Sequence, residues 1–223
     1  MRKKFGVVAV QSQAGAENAM GGIAQAAADN IPILILLGGN SLDQISVKPN
    51  FNAVQKYQGW VKQVEAIYSP TQVGAVMRRA FNALKNGPPG PVVVEMTTDV
   101  CQQNVPEEYQ NYKSPSYSLQ VPNTNEIAKA IELWQKARKP VIWAGGGVLA
   151  SSGSIPLKEL AELTATPVFC TMPGKSSFDE RHPLALGAGC GTTTEMAHKW
   201  LTESDLIIAL GTSLTRSPYG QKI

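Results

Sequence analysis

Two kinds of hydrophobic pattern alternate along the chain. Short runs that are apolar at nearly every position are separated by polar loops and by longer segments whose apolar residues recur every three or four positions. The runs are typical of strands covered on both faces of a parallel sheet, and the longer segments indicate amphipathic helices. The repeated order of strand, loop and helix predicts an α/β fold. The predicted strands span 5–10, 31–37, 92–96, 140–144, 167–170 and 206–210.

Helices are predicted over 16–29, 70–86, 125–138, 155–164 and 194–201. Ser69 and Pro70 stand at the capping and first positions of the second helix, and Asn86 with Gly87 closes it. Two apolar faces are predicted to point inward. The first comprises Val73, Val76, Met77, Ala80, Phe81 and Leu84, and the second comprises Ile127, Ala130, Ile131 and Trp134.

Two stretches lack a clear pattern. Residues 38–68 are predicted to form a long loop that walls a site, because long irregular loops are often functional. Residues 101–122, rich in Gln, Asn, Pro, Ser and Tyr, predict a strap between two doubly wound units, each with a mainly parallel sheet sandwiched by helices. The domains are therefore placed at 1–100 and 123–223. Because strands stand close to both chain ends, both units are expected to be truncated.

Composition excludes several classes of protein. The 223 residues are 43% hydrophobic and 17% charged, which suits a soluble globular chain, and the net charge of +3 includes no basic patch interleaved with aromatic residues, so no nucleic-acid partner is expected. The longest apolar run, 31–37, is far shorter than the roughly 20 residues of a membrane helix. Cys101, Cys170 and Cys190 lack disulfide or zinc spacing, which favours a cytoplasmic location.

Two loops carry candidate chemistry. Residues 11–18 follow the first strand, where ligands bind in open α/β sheets, and Gly15 and Asn18 are the candidate ligand contacts. Capping of the next helix is the alternative role of Asn18. The three glycines at 145–147 follow another strand, and their amides suit a diphosphate or a nucleotide, although a tight turn explains them equally well.

The order of these segments resembles the thiamine-diphosphate enzymes of the acetolactate synthase and benzoylformate decarboxylase type. Residues 11–18 (QSQAGAEN) are similar to the family's TSGPGATN loop, with Ala14 in place of Pro and Glu17 in place of Thr. Residues 86–95 (NGPPGPVVVE) resemble the GRPGPVLVDIPxDV strand that ends the pyrimidine-binding domain. Segments from 139–147 to 204–211 resemble the family's central domain, of nucleotide-binding topology. The resemblance covers nearly the whole chain.

This resemblance implies the domain roles and site residues. Residues 1–100 would be the C-terminal part of the pyrimidine-binding domain, and 123–223 would be the central domain, which binds FAD in some members and ADP or nothing in others. Phe51 and Lys62 match positions along the substrate channel, with Asn52 and Ala53 where the family has Gln and Glu. Ser213 stands where flavin-binding members have Arg. The cofactor-binding residues implied are Ala14, Gly15 and Asn18 at the pyrimidine ring and Gly146, Gly147, Thr171, Met172, Gly187, Gly189 and Gly211 near a flavin.

The same resemblance implies a carboligase or decarboxylase that acts on 2-keto acids and assembles as a homodimer or homotetramer. The glutamate that activates the cofactor would precede this chain, and the domain that holds Mg²⁺ and the diphosphate would follow it. No catalytic or metal-binding residue is therefore assigned, and the chain alone is expected to be an inactive fragment. Two alternatives stay open: a non-catalytic FAD- or ADP-binding module, and another thiamine-diphosphate lyase or acetyltransferase.

Overall fold

The chain forms two compact units that divide between Gln120 and Val121. The computed structural model describes residues 5–118, 120–189 and 193–215. Within these residues each unit contains one four-stranded sheet, and every strand pair is parallel. Hydrophobic clusters pack helices against both faces of each sheet. The predicted α/β class, with two doubly wound units, is confirmed.

The first unit has the strand order β1–β2–β4–β3. Helices α1 and α2 cover one face of this sheet and α3 covers the other. Three-residue 3₁₀ turns lie at Leu42–Gln44, Pro70–Gln72 and Glu107–Tyr109. The other elements are β1 (Gly6–Val10), α1 (Ala14–Ala28), β2 (Ile33–Gly38), α2 (Ala53–Tyr57), β3 (Gln63–Ile67), α3 (Val73–Lys85), β4 (Val92–Met96) and α4 (Thr98–Cys101).

Helix α3 forms where its apolar spacing predicts it. Val76, Ala80 and Leu84 are buried against the sheet, which confirms the inward face. The Ser69 side chain accepts a hydrogen bond from the Thr71 amide in the 3₁₀ turn before the helix. Asn86 ends the helix, and Gly87 follows with a φ of +71°, a conformation that glycine adopts without strain.

Strand β1 is not buried on both faces, so that prediction is wrong. Among the described strands it pairs only with β2, so it lies at the edge of this sheet. Val7 and Val8 are 57% and 44% exposed. The apolar run 5–10 has the composition of a central strand, but strand position is decided by pairing between segments that are distant in sequence.

Residues 38–68 are more regular than the single long loop predicted from the sequence. They contain a 3₁₀ turn, helix α2 and the whole of strand β3. The sequence of β3 alternates polar and apolar residues over only five positions, so its pattern is weak. Glu65 in this strand is held by Arg79 of α3 through two hydrogen bonds of 2.8 and 2.7 Å. This pair explains why a charged residue lies on the α3 face.

Part of the strap predicted at 101–122 lies against the end of α3. Lys85 donates hydrogen bonds to the Ser114 hydroxyl at 2.7 Å and to the Pro115 carbonyl at 2.8 Å. The Ser118 amide donates to the Asn86 side chain at 2.6 Å. These bonds attach the strap to the first unit over at least 114–118.

The second unit has the strand order β7–β6–β5–β8. Leu157 and Ala161 of α7 are buried on one face of the sheet, while Ala197 and Leu201 of α8 are buried on the other. A 3₁₀ turn lies at Met172–Gly174. The other elements are α5 (Thr124–Lys136), β5 (Pro140–Ala144), α6 (Gly146–Ala150), α7 (Ser154–Thr164), β6 (Val168–Thr171), β7 (Ala185–Gly189), α8 (Glu195–Glu203) and β8 (Leu206–Leu210).

Helix α5 forms as predicted, but of its predicted inward face only Trp134 packs against the core of the unit. Ile127 and Ile131 are 43% and 49% exposed, and the helix has no buried residue. Trp134 is half-buried and donates a 3.1 Å hydrogen bond from Nε1 to the Thr166 hydroxyl. Periodicity predicted the helix and its apolar stripe, but not what the stripe packs against.

Candidate functional site

All four strands of the first sheet end at one edge, since they are parallel. The loop Gln11–Gln13 after β1, the segment Gly39–Asn40 after β2 and Thr97 after β4 therefore lie along the carboxyl edge of this sheet. This is the edge at which open α/β folds bind ligands. Close backbone packing joins two of the segments, because a Cβ on Gly38 would lie 3.0 Å from the Ser12 nitrogen.

Gln13 ties three segments of this edge together. Its Nε2 donates a 2.7 Å hydrogen bond to Asn40 Oδ1, and its Oε1 accepts a 3.0 Å bond from the Phe51 amide. Gln13 adopts a φ of 56°, a strained conformation for a residue with a Cβ, and such strain is frequent at functional sites. Sequence reasoning assigned Gln13 no role, because neither its bonding partners nor its φ is visible in a linear pattern.

Glu95 is a buried carboxyl group at the same edge. It lies in β4, is 9% exposed, and receives no hydrogen bond on its carboxyl oxygens from any described residue. A Cβ on Gly39 would lie 2.9 Å from Glu95 Cγ, so this glycine makes room for the acid. Burial raises the pKa of Glu95, because the charged form loses its hydration.

Thr97 follows two residues after Glu95. Thr97 is only 1% exposed to solvent. Its hydroxyl group has no hydrogen-bond partner among the described residues. Its backbone is extended, with φ −65° and ψ 149°, so the alternation of a strand continues from Glu95 to Thr97. The side chains of Glu95 and Thr97 therefore lie on the same side of the chain.

The carboxyl edge of the second sheet is built from close backbone contacts. The Gly145 amide donates to the Leu210 carbonyl and the Gly147 amide to the Gly211 carbonyl, both at 2.8 Å. A Cβ on Gly147 would lie 2.7 Å from the Gly211 Cα. The amides of Gly145 and Gly147 are thus used within the protein, which supports the tight-turn explanation of these two glycines.

A shallow groove of about 350 Å³ adjoins this glycine loop. It runs between α6, α7 and β8 of the second unit. Its surface is formed mainly by small and apolar residues, among them Gly147, Val148, Ser151, Leu157, Leu160 and Gly211.

Comparison with known proteins agrees with this two-unit architecture. Residues 1–66 match the family model of the thiamine pyrophosphate enzyme N-terminal TPP binding domain. Residues 127–222 match the model of the thiamine pyrophosphate enzyme central domain. The two models match separate stretches of the chain, in that order.

The chain belongs to the thiamine pyrophosphate enzyme family.

Its relatives include acetolactate synthases. The chain is 34% identical over 219 residues to a probable acetolactate synthase large subunit of Methanocaldococcus jannaschii, covering 92% of this chain and 36% of that protein. It is 34% identical over 222 residues to the corresponding protein of Methanococcus aeolicus, with 93% and 36% covered. Acetolactate synthase isozyme 3 large subunit of Escherichia coli is 31% identical over 220 residues, with 93% and 37% covered. The chain thus spans 36% to 37% of the length of these relatives.

The residues predicted to face the pyrimidine ring lie at the start of α1. Helix α1 begins at Ala14, which places Asn18 in its second turn. The capping alternative for Asn18 is therefore wrong, since the cap position is Gln13. Ala14 and Asn18 are exposed, Gly15 is half-buried, and the Asn18 amide bonds to no described residue. A small-residue surface with an unpaired amide donor and acceptor fits the edge of an aminopyrimidine.

The two predicted channel residues, Phe51 and Lys62, lie at opposite edges of the first sheet. Phe51 is half-buried at the carboxyl edge, with its ring 6.2 Å from that of Tyr57. Lys62 immediately precedes β3 at the amino edge, where its amide donates to the Pro91 carbonyl. Its ammonium group donates to the carbonyl oxygens of Ala83 and Asn86 and so caps α3. Burial lowers the pKa of Lys62. The channel role of both residues stays a prediction.

Most residues predicted to lie near a nucleotide gather at the carboxyl edge of the second sheet. A Cβ on Gly146 would lie 3.2 Å from the Pro173 carbonyl oxygen, which places the glycine loop beside the turn after β6. The Thr171 hydroxyl accepts a 3.1 Å hydrogen bond from the Gly174 amide. Gly189 pairs with Thr171 at the end of β7. Met172 is 54% exposed and Gly211 is exposed.

Gly187 lies further from this edge, in the middle of β7, where it pairs with Phe169. Its φ is +89°, a conformation open to glycine but strained for other residues. This backbone conformation by itself explains why position 187 is a glycine, and no contact with a ligand is needed to explain it. Sequence reasoning did not predict β7, because its residues, Ala-Leu-Gly-Ala-Gly, carry weak strand propensity.

Among the described residues, no group of three or more His, Cys, Asp or Glu side chains is arranged to hold a metal ion. No helix in the described part of the chain has the length and apolar character of a membrane span. Cys101 and Cys170 are free thiols, and Cys190 lies outside the described residues.

Proposed function

We propose that this chain is part of a thiamine-diphosphate-dependent carboligase or decarboxylase that acts on 2-keto acids. The observation that carries the proposal is the match to two thiamine pyrophosphate enzyme models in succession, one on each folded unit. The proposed division is a pyrimidine-binding part over 1–100, a strap over 101–122 and a central domain over 123–223.

In this proposal Ala14, Gly15 and Asn18 hold the aminopyrimidine ring. Ala14 and Gly15 leave an open surface at the start of α1, and the unpaired Asn18 amide is free to hydrogen-bond to a ring nitrogen or amino group. Gln13 supports this loop through its bonds to Asn40 and Phe51. Phe51 would then present its ring to the substrate on the side of α2.

Thiamine diphosphate, when bound, supplies a nucleophilic carbon that attacks the carbonyl of a 2-keto acid. The residues of this chain would orient the ring and exclude water from one side of it. Mg²⁺ is proposed to accompany the diphosphate, with neither held by residues of this chain. FAD is proposed as an optional ligand of the central domain, near Gly146 and Thr171. There the Gly145 and Gly147 amides already have backbone acceptors, so a flavin would have to be bound by other groups.

The whole protein is proposed to assemble as a homodimer or homotetramer in the cytoplasm. The free thiols of Cys101 and Cys170 are consistent with a reducing compartment. A homo-oligomer accords with the usual symmetry of soluble assemblies.

The test is an assay of the complete protein that carries these residues, supplied with thiamine diphosphate, Mg²⁺ and pyruvate. Release of CO₂ is expected, with 2-acetolactate formed for a carboligase or acetaldehyde for a decarboxylase. Asn18→Ala is expected to raise the concentration of thiamine diphosphate needed for half-maximal rate. Asn125→Ala is the matched control, because Asn125 is also an exposed helical asparagine without a side-chain bond.

Two results would overturn the proposal. One is the absence of CO₂ release from pyruvate and from longer 2-keto acids at saturating cofactor. The other is an unchanged cofactor requirement in Asn18→Ala, which would remove the assigned role of the loop at 11–18.

A further inference from the structure

Residue 13 is a glutamine in a backbone conformation that favours glycine. Its φ of 56° and ψ of −118° lie in a region that glycine adopts freely and that other residues adopt only with strain. The family's TSGPGATN loop has a glycine at the corresponding position, whereas this chain has Gln13. A glycine would relieve the strain, so the reason for a glutamine here lies in what its side chain does.

The Gln13 side chain makes two hydrogen bonds to residues far away in the sequence. Its Oε1 accepts a 3.0 Å bond from the Phe51 amide, and its Nε2 donates a 2.7 Å bond to Asn40 Oδ1. Both ends of the carboxamide are engaged, which holds it in one orientation. The backbone at Phe51 is thereby fixed relative to the start of α1.

A second attachment joins the same two segments. Tyr57 is fully buried, and its hydroxyl donates a 2.5 Å hydrogen bond to the Ala16 carbonyl in the first turn of α1. The Tyr57 ring meets the Phe51 ring edge-on, with 6.2 Å between centroids. Phe51 is therefore held at its backbone by Gln13 and at its ring by a tyrosine that is anchored to α1.

Position 52 departs from the family's motifs at the same place. The family has a glutamine after the phenylalanine, whereas this chain has Asn52. The Asn52 side chain accepts a 2.9 Å hydrogen bond from the Gln55 amide and so caps α2. Its side chain is thus used within the helix, and the glutamine that contacts this segment is Gln13. Both departures bear on the backbone that carries Phe51.

We propose that Gln13 is a positioning residue that fixes the Phe51 ring beside the loop at 11–18 and thereby limits the size of the 2-keto acid that the site accepts. The inference rests on the proposed function, in which Phe51 presents its ring to the substrate, and it adds a residue that sets specificity through Phe51. A ring held at its backbone and at its edge leaves little room for a long substrate side chain. Without the Gln13 side chain, the backbone at Phe51 loses its anchor and the ring can move aside.

The test compares two substrates in the complete protein, pyruvate and the larger 4-methyl-2-oxopentanoate. Gln13→Ala and Gln13→Gly both remove the two hydrogen bonds. Each is expected to lower the ratio of kcat/KM for pyruvate to kcat/KM for the larger acid by about fivefold or more, the size of effect that loss of one net hydrogen bond produces.

Gln13→Gly separates positioning from stability. Loss of the two bonds and relief of the strained backbone act in opposite directions, so the Tm is expected to stay within about 4 °C of the parent protein while the substrate ratio falls. Gln103→Gly is the control, at an exposed glutamine whose side chain bonds to no described residue.

Gln13→Glu is the conservative variant. It keeps an acceptor for the Phe51 amide, and the Asn40 amide can turn its Nδ2 towards the new carboxylate. Its substrate ratio is expected to stay within about twofold of the parent value, since both hydrogen bonds are kept.

Phe51→Ala shows whether Gln13 acts through Phe51. This variant alone is expected to lower the substrate ratio at least as much as Gln13→Gly does. Adding Gln13→Gly to it should change the ratio by less than about twofold, because the two residues share one effect. Hydrogen exchange of the Phe51 amide in the cofactor-free protein is a readout that does not depend on activity. It is expected to be about tenfold faster in Gln13→Gly and close to the parent rate in Gln13→Glu.

An unchanged substrate ratio in both Gln13→Ala and Gln13→Gly would overturn the inference. So would a full effect of Gln13→Gly in the Phe51→Ala background. In either case CO₂ release from pyruvate would leave the proposed function standing. Absence of CO₂ release from every 2-keto acid would refute the proposed function and this inference with it. If Gln13→Ala fails to fold, Gln13→Gly decides alone, because it relieves the strained backbone.

Discussion

Gly145 lies directly against the carbonyl oxygen of Gly211, so closely that a Cβ on Gly145 would come within 2.3 Å of that oxygen. Gly145 has a φ of −103°, which any residue adopts, so only contact with neighbouring backbone requires glycine here. The same approach brings the Gly147 amide to within 2.8 Å of the Gly211 carbonyl. The close packing between the ends of β5 and β8 therefore leaves no room for a side chain at position 145.

The Gly145→Ala variant is expected to lose about 1 to 3 kcal/mol of unfolding free energy, because backbone must move to admit the methyl group. The measurement is urea denaturation followed by tryptophan fluorescence, since Trp134 and Trp143 lie in this unit. Gly146→Ala is the matched control: its Cβ would approach Pro173 to only 3.2 Å, so a smaller loss is expected. Equal losses in the two variants would contradict the steric explanation.

Removing the Gln13 side chain is expected to loosen the segment at Phe51. Gln13→Ala deletes the acceptor of the Phe51 amide and the donor to Asn40 while keeping the same backbone strain, since both residues carry a Cβ. Loss of roughly 1.4 kcal/mol would speed hydrogen exchange of the Phe51 amide about tenfold. The control is Gln103→Ala, at an exposed glutamine without a side-chain bond. Unchanged exchange at Phe51 would show that other contacts hold this segment.

Lys62 is expected to stabilise the first unit as a cap of α3. Lys62→Met keeps most of the apolar stem but removes the ammonium group that bonds to the Ala83 and Asn86 carbonyls. A loss of about 1.5 to 3 kcal/mol in unfolding free energy is expected, the usual range for hydrogen bonds from a charged group. Lys56→Met, at an exposed lysine, is the control and should change stability by less than about 0.5 kcal/mol. Similar stabilities of the two variants would argue against the capping role.

Glu95 is expected to make stability depend on pH. Its folded-state pKa is raised by burial, so the folded chain holds this proton more tightly than the unfolded chain does. The resulting contribution to stability is fully present below the unfolded pKa of about 4.3 and is lost as the pH rises through the folded pKa.

Glu95→Gln lacks this titration, so its stability relative to the parent chain is expected to rise as the pH increases from about 4 towards neutrality. Denaturation at a series of pH values measures the difference, with Glu132→Gln as the exposed control. A constant difference between Glu95→Gln and the parent chain across this range would mean that Glu95 ionises at its ordinary pKa.

Much of the fold was predictable from local patterns. Strand β4 lies at Val92–Met96 as predicted, and the buried face of α3 follows its apolar spacing. Both segments combine strong periodicity with clear boundary residues such as Ser69 and Gly87. Strands β3 and β7 were not predicted, because polar residues in one and glycines in the other weaken the strand signal.

The candidate site was only partly predictable. The loop at 11–18 was predicted from its place after a strand, and the resemblance to a family assigned its residues a role. Gln13, Glu95 and Thr97 carried no local signal. Their roles depend on partners, or on the lack of partners, that are distant in sequence. Phe51 and Lys62, grouped by resemblance, lie at opposite edges of one sheet.

The amino-acid sequence by itself determined the α/β class, the two-unit organisation and the family. Hydrophobic periodicity and turn residues act over a few neighbouring positions, and family motifs are read along the chain. Only the tertiary structure decided that β1 lies at a sheet edge among the described strands, that most of the apolar face of α5 is exposed, and that Glu95 is buried. Strand order, burial and hydrogen-bond partnership arise from contacts between distant segments, and no local pattern encodes which segments meet.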